Sequence, residues 1–189
     1  MTEKQENDVF YVCSLIEYIA RKTKNHRQDV IACFSKADIE RQLRLAEVNH
    51  CLSFEQVSDE LIEDFQIAEG TFDTVSECRY TVPSTTSIGM LYQGLVLSTM
   101  KNDDAAQGIL DIFSSFITDE ISDFNSNVYY TNPDYLRCSY LEAGCLPEYS
   151  FCTDCQSAVG IQKRSTKAET SVLLFCMGQP GLEPGTKRL

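Results

Sequence analysis

The chain has 189 residues, 43% of them apolar, with 16 Lys+Arg against 28 Asp+Glu and a net charge of −12. That length suits one domain, or one domain plus a small addition, and the apolar fraction argues against wholesale disorder. No apolar run approaches the roughly 20 residues needed to cross a bilayer. The polar opening Met1–Asp8 has no apolar signal core, so a cytoplasmic protein with no membrane partner is expected.

Asp8–Lys22 reads as a helix, because Val9, Phe10, Cys13, Ile16, Ile19 and Ala20 recur at spacings of three and four. Arg21, Lys22 and Lys24 fall at its C-terminal end, where cations complement the helix dipole. Arg27–Phe34 forms a second, short helix with Val30, Ile31, Cys33 and Phe34 apolar. Ser35 caps a third, with Asp38 in the capping-box position and Ile39, Leu43 and Leu45 continuing it. Ser53-Phe54-Glu55-Gln56 is a capping box that opens a fourth, whose stripe is Phe54, Val57, Leu61, Ile62 and Phe65. Gly70 and Thr71 then break the pattern. Residues 67–83 read as a loop holding a short β-like run, Cys78–Val82, closed by Pro83 as an extended linker or lone strand.

Ser84–Met100 is apolar enough for a buried fifth helix. Asn102 or Asp103 caps a sixth, running from Ala105 to about Phe124 through Ile109, Ile112, Phe113, Phe116, Ile117 and Ile121. Asp119, Glu120 and Asp123 then fall at its C-terminal end, where they oppose the dipole. From Asn125 on, Asn, Tyr, Pro and Gly weaken the pattern. The expected fold is all-α, a compact multi-helix bundle of about six helices over residues 1–142. Residues 143–189 are expected to form an irregular, disordered tail.

Charge is unevenly spread. Residues 1–53 are neutral, 54–142 carry −13, 143–160 carry −2 and 161–189 carry +3. The acidic middle should repel nucleic acid and anionic membrane. It suits either simple solvation or a partner protein with a basic surface.

The nine cysteines are an odd number without an export signal, so free thiols are expected. Cys13 and Cys33 read as small core residues. Cys138, Cys145, Cys152 and Cys155 cluster, and Cys152-Thr-Asp-Cys155 is a CxxC. Zinc would need Cys138 and Cys145 as the second pair, but their spacing does not suit a knuckle. The flanks also lack the strand and helix of a redox motif, so neither a metal nor a cofactor is expected. The ending Gly181–Leu189 resembles that of a reading frame running antisense into a transfer-RNA gene, with Gly181-Leu182-Glu183-Pro184 as a translated T-arm complement. No function is expected from residue 160 on.

Three segments carry a family resemblance: Phe10-Tyr11-Val12-Cys13-Ser14-Leu15-Ile16-Glu17-Tyr18-Ile19, Asp29-Val30-Ile31-Ala32-Cys33-Phe34 and Ile62-Glu63-Asp64-Phe65. Residues 9–66 thereby resemble a family of small helical bacterial domains of unknown function, found beside genes for ADP-ribosyltransferase-like proteins. The resemblance implies an accessory or antitoxin-like protein that works beside an enzyme partner, with residues 84–124 as additional helices. It supplies no catalytic residues.

The candidate binding site is the basic run Arg21, Lys22, Lys24, His26 and Arg27, which could grip phosphate, nucleic acid or an acidic surface. A helix-turn-helix drawn from the second and third helices would present Arg41 and Arg44 to a groove, and with the basic loop 21–27 it gives a small DNA-binding regulator as the alternative. His50-Cys51 is adjacent in sequence and poorly placed for nucleophilic catalysis. The pairs Asp103–Asp104 and Asp119–Glu120 lack a partner His for a metal. Tyr129, Tyr130, Tyr135 and Tyr140 could form an aromatic binding surface. No catalytic set stands out, so an interaction protein is expected rather than an enzyme.

Overall fold

The structure, a computed structural model, describes residues 1–142. Its helices are α1 Glu3–Thr23, α2 Arg27–Ala32, α3 Lys36–Asn49, α4 Phe54–Asp64, α5 Thr85–Thr99, α6 Ala105–Phe113, α7 Ile117–Ser122 and α8 Pro133–Leu141. A 3-10 helix, Val128–Tyr130, precedes α8, and the described residues hold no strand. None of these helices is long and apolar enough to cross a membrane.

α1 is the central element. It starts five residues before the expected Asp8, because the Thr2 side chain accepts from the Gln5 N–H and Gln5 caps in return. Residues 11–17 are all buried, so the helix is enclosed on nearly every side rather than along one stripe. α5 is its main neighbour, and α3, α2 and α4 cover the rest. At the α1–α5 crossing Gly89 lies against Ser14, where a Cβ would come within 2.0 Å of the serine Oγ and 2.9 Å of its Cα. Only hydrogen fits there, which fixes how closely the two axes approach.

The expected sixth helix is two helices. The Ser115 hydroxyl and N–H both bond to the Ile112 carbonyl, at 2.6 and 3.1 Å. The Thr118 hydroxyl bonds to the Ser115 carbonyl at 3.0 Å. Such local bonds compete with the helical ladder, and the chain turns between α6 and α7. The break reverses the electrostatic reading of this region. Asp119 and Glu120 lie in the first turn of α7, where acids favour the dipole, rather than at a helix end that they oppose.

Other expectations need similar correction. Asp104, rather than Asn102 or Asp103, caps α6 through the Gln107 N–H at 3.0 Å. Asn102 and Asp103 instead form a left-handed turn at φ 56° and 54°, a conformation that Asn and Asp tolerate best among non-glycine residues. Cys78–Val82 makes no strand, since the Arg79 N–H donates to the Asn125 side chain rather than to a neighbouring strand. α8 appears where the sequence pattern fades. It is started by Pro133 and by Asn132, whose side chain accepts from the Asp134 N–H, and it buries Leu136 against the bundle. Cys13 is buried as expected, but Cys33 caps α2 and is exposed. Cys13, Cys33, Cys51 and Cys78 are free thiols, and Cys138 is buried on α8.

The loop after α4 is stitched to the end of α1. Gly70 and Phe72 N–H groups donate to the Thr23 and Lys24 carbonyls, both at 2.8 Å. The Asn25 amide donates to the Ala68 carbonyl at 2.7 Å. The loop thereby satisfies carbonyls that a helix end leaves open. A Cβ on Gly70 would lie 2.6 Å from the Lys24 carbonyl, too close for any other residue without a shift.

Candidate functional site

The basic run 21–27 becomes a junction between elements. Arg27 is fully buried, and its Nε and Nη2 reach the two carboxylate oxygens of equally buried Glu17, both at 2.8 Å. This two-point geometry suits a guanidinium and a carboxylate. Burial opposes the charge on Arg27, but the carboxylate and its hydrogen bonds outweigh that and hold its pKa above the ordinary guanidinium value. Arg21 Nε joins Glu17 at 2.7 Å, and its Nη1 donates to the Pro83 carbonyl at 2.8 Å. The Arg21 guanidinium lies 4.7 Å from the centre of the Phe124 ring. Tyr92 is buried beside the group, and burial, reinforced by Glu17, raises its hydroxyl pKa.

The remaining members of the run reach outward. Lys22 pairs with Asp59 of α4 at 2.6 Å, and Lys24 pairs with Glu69 of the loop at 3.1 Å. His26 Nδ1 meets Asp119 of α7 at 2.9 Å, while its ring stacks on Phe72 at 3.7 Å. Five neighbouring residues thus tie α1, α2, α4, the loop and α7 together. Each has an acidic partner inside the molecule. The cations exposed without such a partner among the described residues include Arg41 and Arg44 on α3.

The other candidates are dispersed. His50 packs its ring against Tyr11 at 4.6 Å, Cys51 is exposed, and no hydrogen bond joins the two. Asp104 is held by Lys36 and caps α6, so it is occupied. No group of three His, Cys, Asp or Glu among the described residues could hold a metal ion. Cys145, Cys152 and Cys155 lie outside the described residues, as does the 181–189 ending.

Two accessible features bear on binding. The first is α4, with Glu55, Asp59, Glu60, Glu63 and Asp64 exposed and no Lys or Arg of its own. The second is a pair of adjoining clefts that share Phe124 and Asn125 as a wall. One, of about 200 Å³, is lined by His26, Phe72, Glu77, Asp119 and Asp123. The other, of about 540 Å³, is lined by Tyr80, Asn127, Tyr129 and Tyr130. Tyr130 is 74% exposed and Tyr80 69%, whereas Tyr129 is buried and meets Phe124 edge-on. Tyr135 and Tyr140 belong elsewhere, packed against the core from α8.

Sequence reasoning found Tyr129 and Tyr130 but missed Tyr80, Phe72 and Glu77. These come from a loop more than forty residues away, brought in by the Asn125 side chain. That side chain accepts from the Arg79 N–H at 2.8 Å and donates to the Glu77 carbonyl at 3.1 Å. No spacing in the sequence encodes that bond. No protein-family model, curated protein or solved structure matches the chain.

Proposed function

We propose that this chain is a non-enzymatic interaction or regulatory protein that binds a partner with a basic surface in the cytoplasm. The antitoxin-like role beside an ADP-ribosyltransferase-like protein comes from the resemblance of residues 9–66. The observation that supports the basic partner is α4. Its acids repeat at i, i+4 in Glu55–Asp59, Asp59–Glu63 and Glu60–Asp64, and each like-charged pair costs roughly 0.2–0.5 kcal/mol. Glu63 and Asp64 also lie in the C-terminal turn, where the dipole disfavours them. Only Asp59 has an ion-pair partner among the described residues. A basic surface laid on this helix relieves the repulsion and gains steering from the field of the acidic middle segment.

The test is affinity purification of the tagged full chain from a bacterial lysate, beside a variant carrying Glu55→Gln, Glu60→Gln, Glu63→Gln and Asp64→Asn. A stoichiometric basic protein held by the parent, released by salt and lost by the variant supports the reading. Equal recovery by both proteins, or no partner for either, overturns it.

A DNA-binding reading has one observation in its favour, the exposed and unpaired Arg41 and Arg44 on α3. The −13 carried by residues 54–142 works against it. A salt-dependent shift of duplex DNA that Arg41→Ala and Arg44→Ala together abolish would favour it over the basic-partner reading.

A further inference from the structure

The adjoining clefts set carboxylates beside tyrosine rings. On one side Glu77 and Asp123 are exposed and form no ion pair among the described residues. Asp119 offers a third carboxylate, shared with His26 at 2.9 Å. On the other side Tyr80 and Tyr130 stand exposed at the rim, backed by buried Tyr129 and Phe124. Asn127 adds an amide group at the second cleft. The acidic cleft is too small for a large ligand but admits one side chain, and the tyrosine cleft continues from it along the shared wall.

We propose that these clefts dock an extended, arginine-bearing segment of a partner protein, the guanidinium entering beside Glu77, Asp119 and Asp123 and flanking apolar residues lying on Tyr80 and Tyr130. This rests on the basic-partner reading above and adds to the α4 face a second contact, made by a defined segment of the partner. Arginine fits better than lysine, because its flat fork meets carboxylates at two points and lies well on aromatic rings. The molecule already packs one guanidinium, Arg21, on Phe124. Tyrosine ledges suit a stiff extended segment, proline above all, whose carbonyls can accept from tyrosine hydroxyls and the Asn127 amide. Nucleic acid would also stack on tyrosines, but its phosphates would face the three carboxylates.

The test begins with a display library of random peptides selected on the full-length chain. Peptides sharing an arginine beside proline or aliphatic residues are expected. They are then synthesised and titrated by fluorescence anisotropy against the parent and against Tyr130→Ala, Tyr80→Ala and Asp123→Asn, each checked for unchanged helicity. Losses of about tenfold or more are expected for Tyr130→Ala and Asp123→Asn, as for central interface anchors. Failure to enrich any peptide, enrichment without arginine, or equal binding by the three variants overturns the proposal. Binding of a saccharide on a glycan array, lost on Tyr130→Ala, would assign the clefts to a sugar instead and also overturn it. The two readings fail separately. If the lysate partner is lost from the α4 variant but kept by Tyr130→Ala and Asp123→Asn, the partner reading stands and this second contact falls. If neither surface changes capture, both fall.

Discussion

Glu17 lies fully buried between two guanidinium groups, and Arg27 has no other carboxylate in hydrogen-bond reach. Removing one member of such a pair leaves the other charge buried alone. Glu17→Gln should therefore lower stability by about 3–5 kcal/mol, read as a fall in the urea midpoint. The triple replacement Glu17→Met with Arg21→Met and Arg27→Met should recover much of that loss, since packed apolar groups substitute well for a buried ionic triad. The Glu17–Arg21 spacing of four was visible in the sequence. That Arg27 turns inward was not, because a charged residue at the start of a short helix ordinarily faces water. The thiols separate just as sharply. Burial pushes the Cys13 thiol pKa well up, while Cys33 and Cys51 are exposed. Alkylation of the native protein, mapped by mass spectrometry, should mark Cys33 and Cys51 and reach Cys13 only in denaturant.

α5 contains its own control experiment. Gly89 and Gly94 share one helix, so alanine brings the same gain in helix propensity at both. At Gly94 nothing lies within 4 Å of the new Cβ, and Gly94→Ala should stabilise by about 0.5–1 kcal/mol. At Gly89 the Cβ meets Ser14 backbone and side chain, and Gly89→Ala should destabilise by about 1–3 kcal/mol. Thermal melts of the two variants should move in opposite directions. Helix starts were the most legible elements. The boxes at Ser35 and Ser53 are closed within three residues and need no tertiary partner, and Ser53→Ala should cost about 1 kcal/mol. The α6–α7 break was hidden, because Ile109, Ile112, Phe113, Phe116 and Ile117 keep helical spacing straight through it. Buried residues on two short helices can mimic one long stripe.

At the scale of the molecule the all-α class was legible, since every strong periodicity is near 3.6. Which helix covers which was not, because α1 is enclosed on nearly every side over residues 11–17 and its pattern names no neighbour. The acidic composition has a stability consequence. Asp38 is held below its ordinary value by hydrogen bonds from Ser35, Asp73 by those from Ser76, and Asp104 chiefly by the Lys36 ammonium. Carboxylates with depressed folded values stabilise the fold above the unfolded value near 3.8 and lose that contribution as pH falls through the folded ones. Melting temperature should therefore fall modestly below about pH 4, since all three groups lie at the surface. Lys36 is the partner seen from the other side, its value raised by Asp104. That contribution is full below the ordinary lysine range and fades as pH rises through it.

The α1–α5 crossing also sets a timetable. About 75 residues separate the end of α1 from the end of α5, so at about 5–20 residues per second a ribosome needs roughly 4–15 s to supply the cover. Until then the nascent chain holds a helix whose apolar sides have only α2, α3 and α4 to shelter behind. Such a span invites a chaperone to sit where α5 will later lie. A codon change that slows translation between residues 64 and 85 should lengthen that exposure and lower the yield of folded protein, although the amino-acid sequence is unchanged.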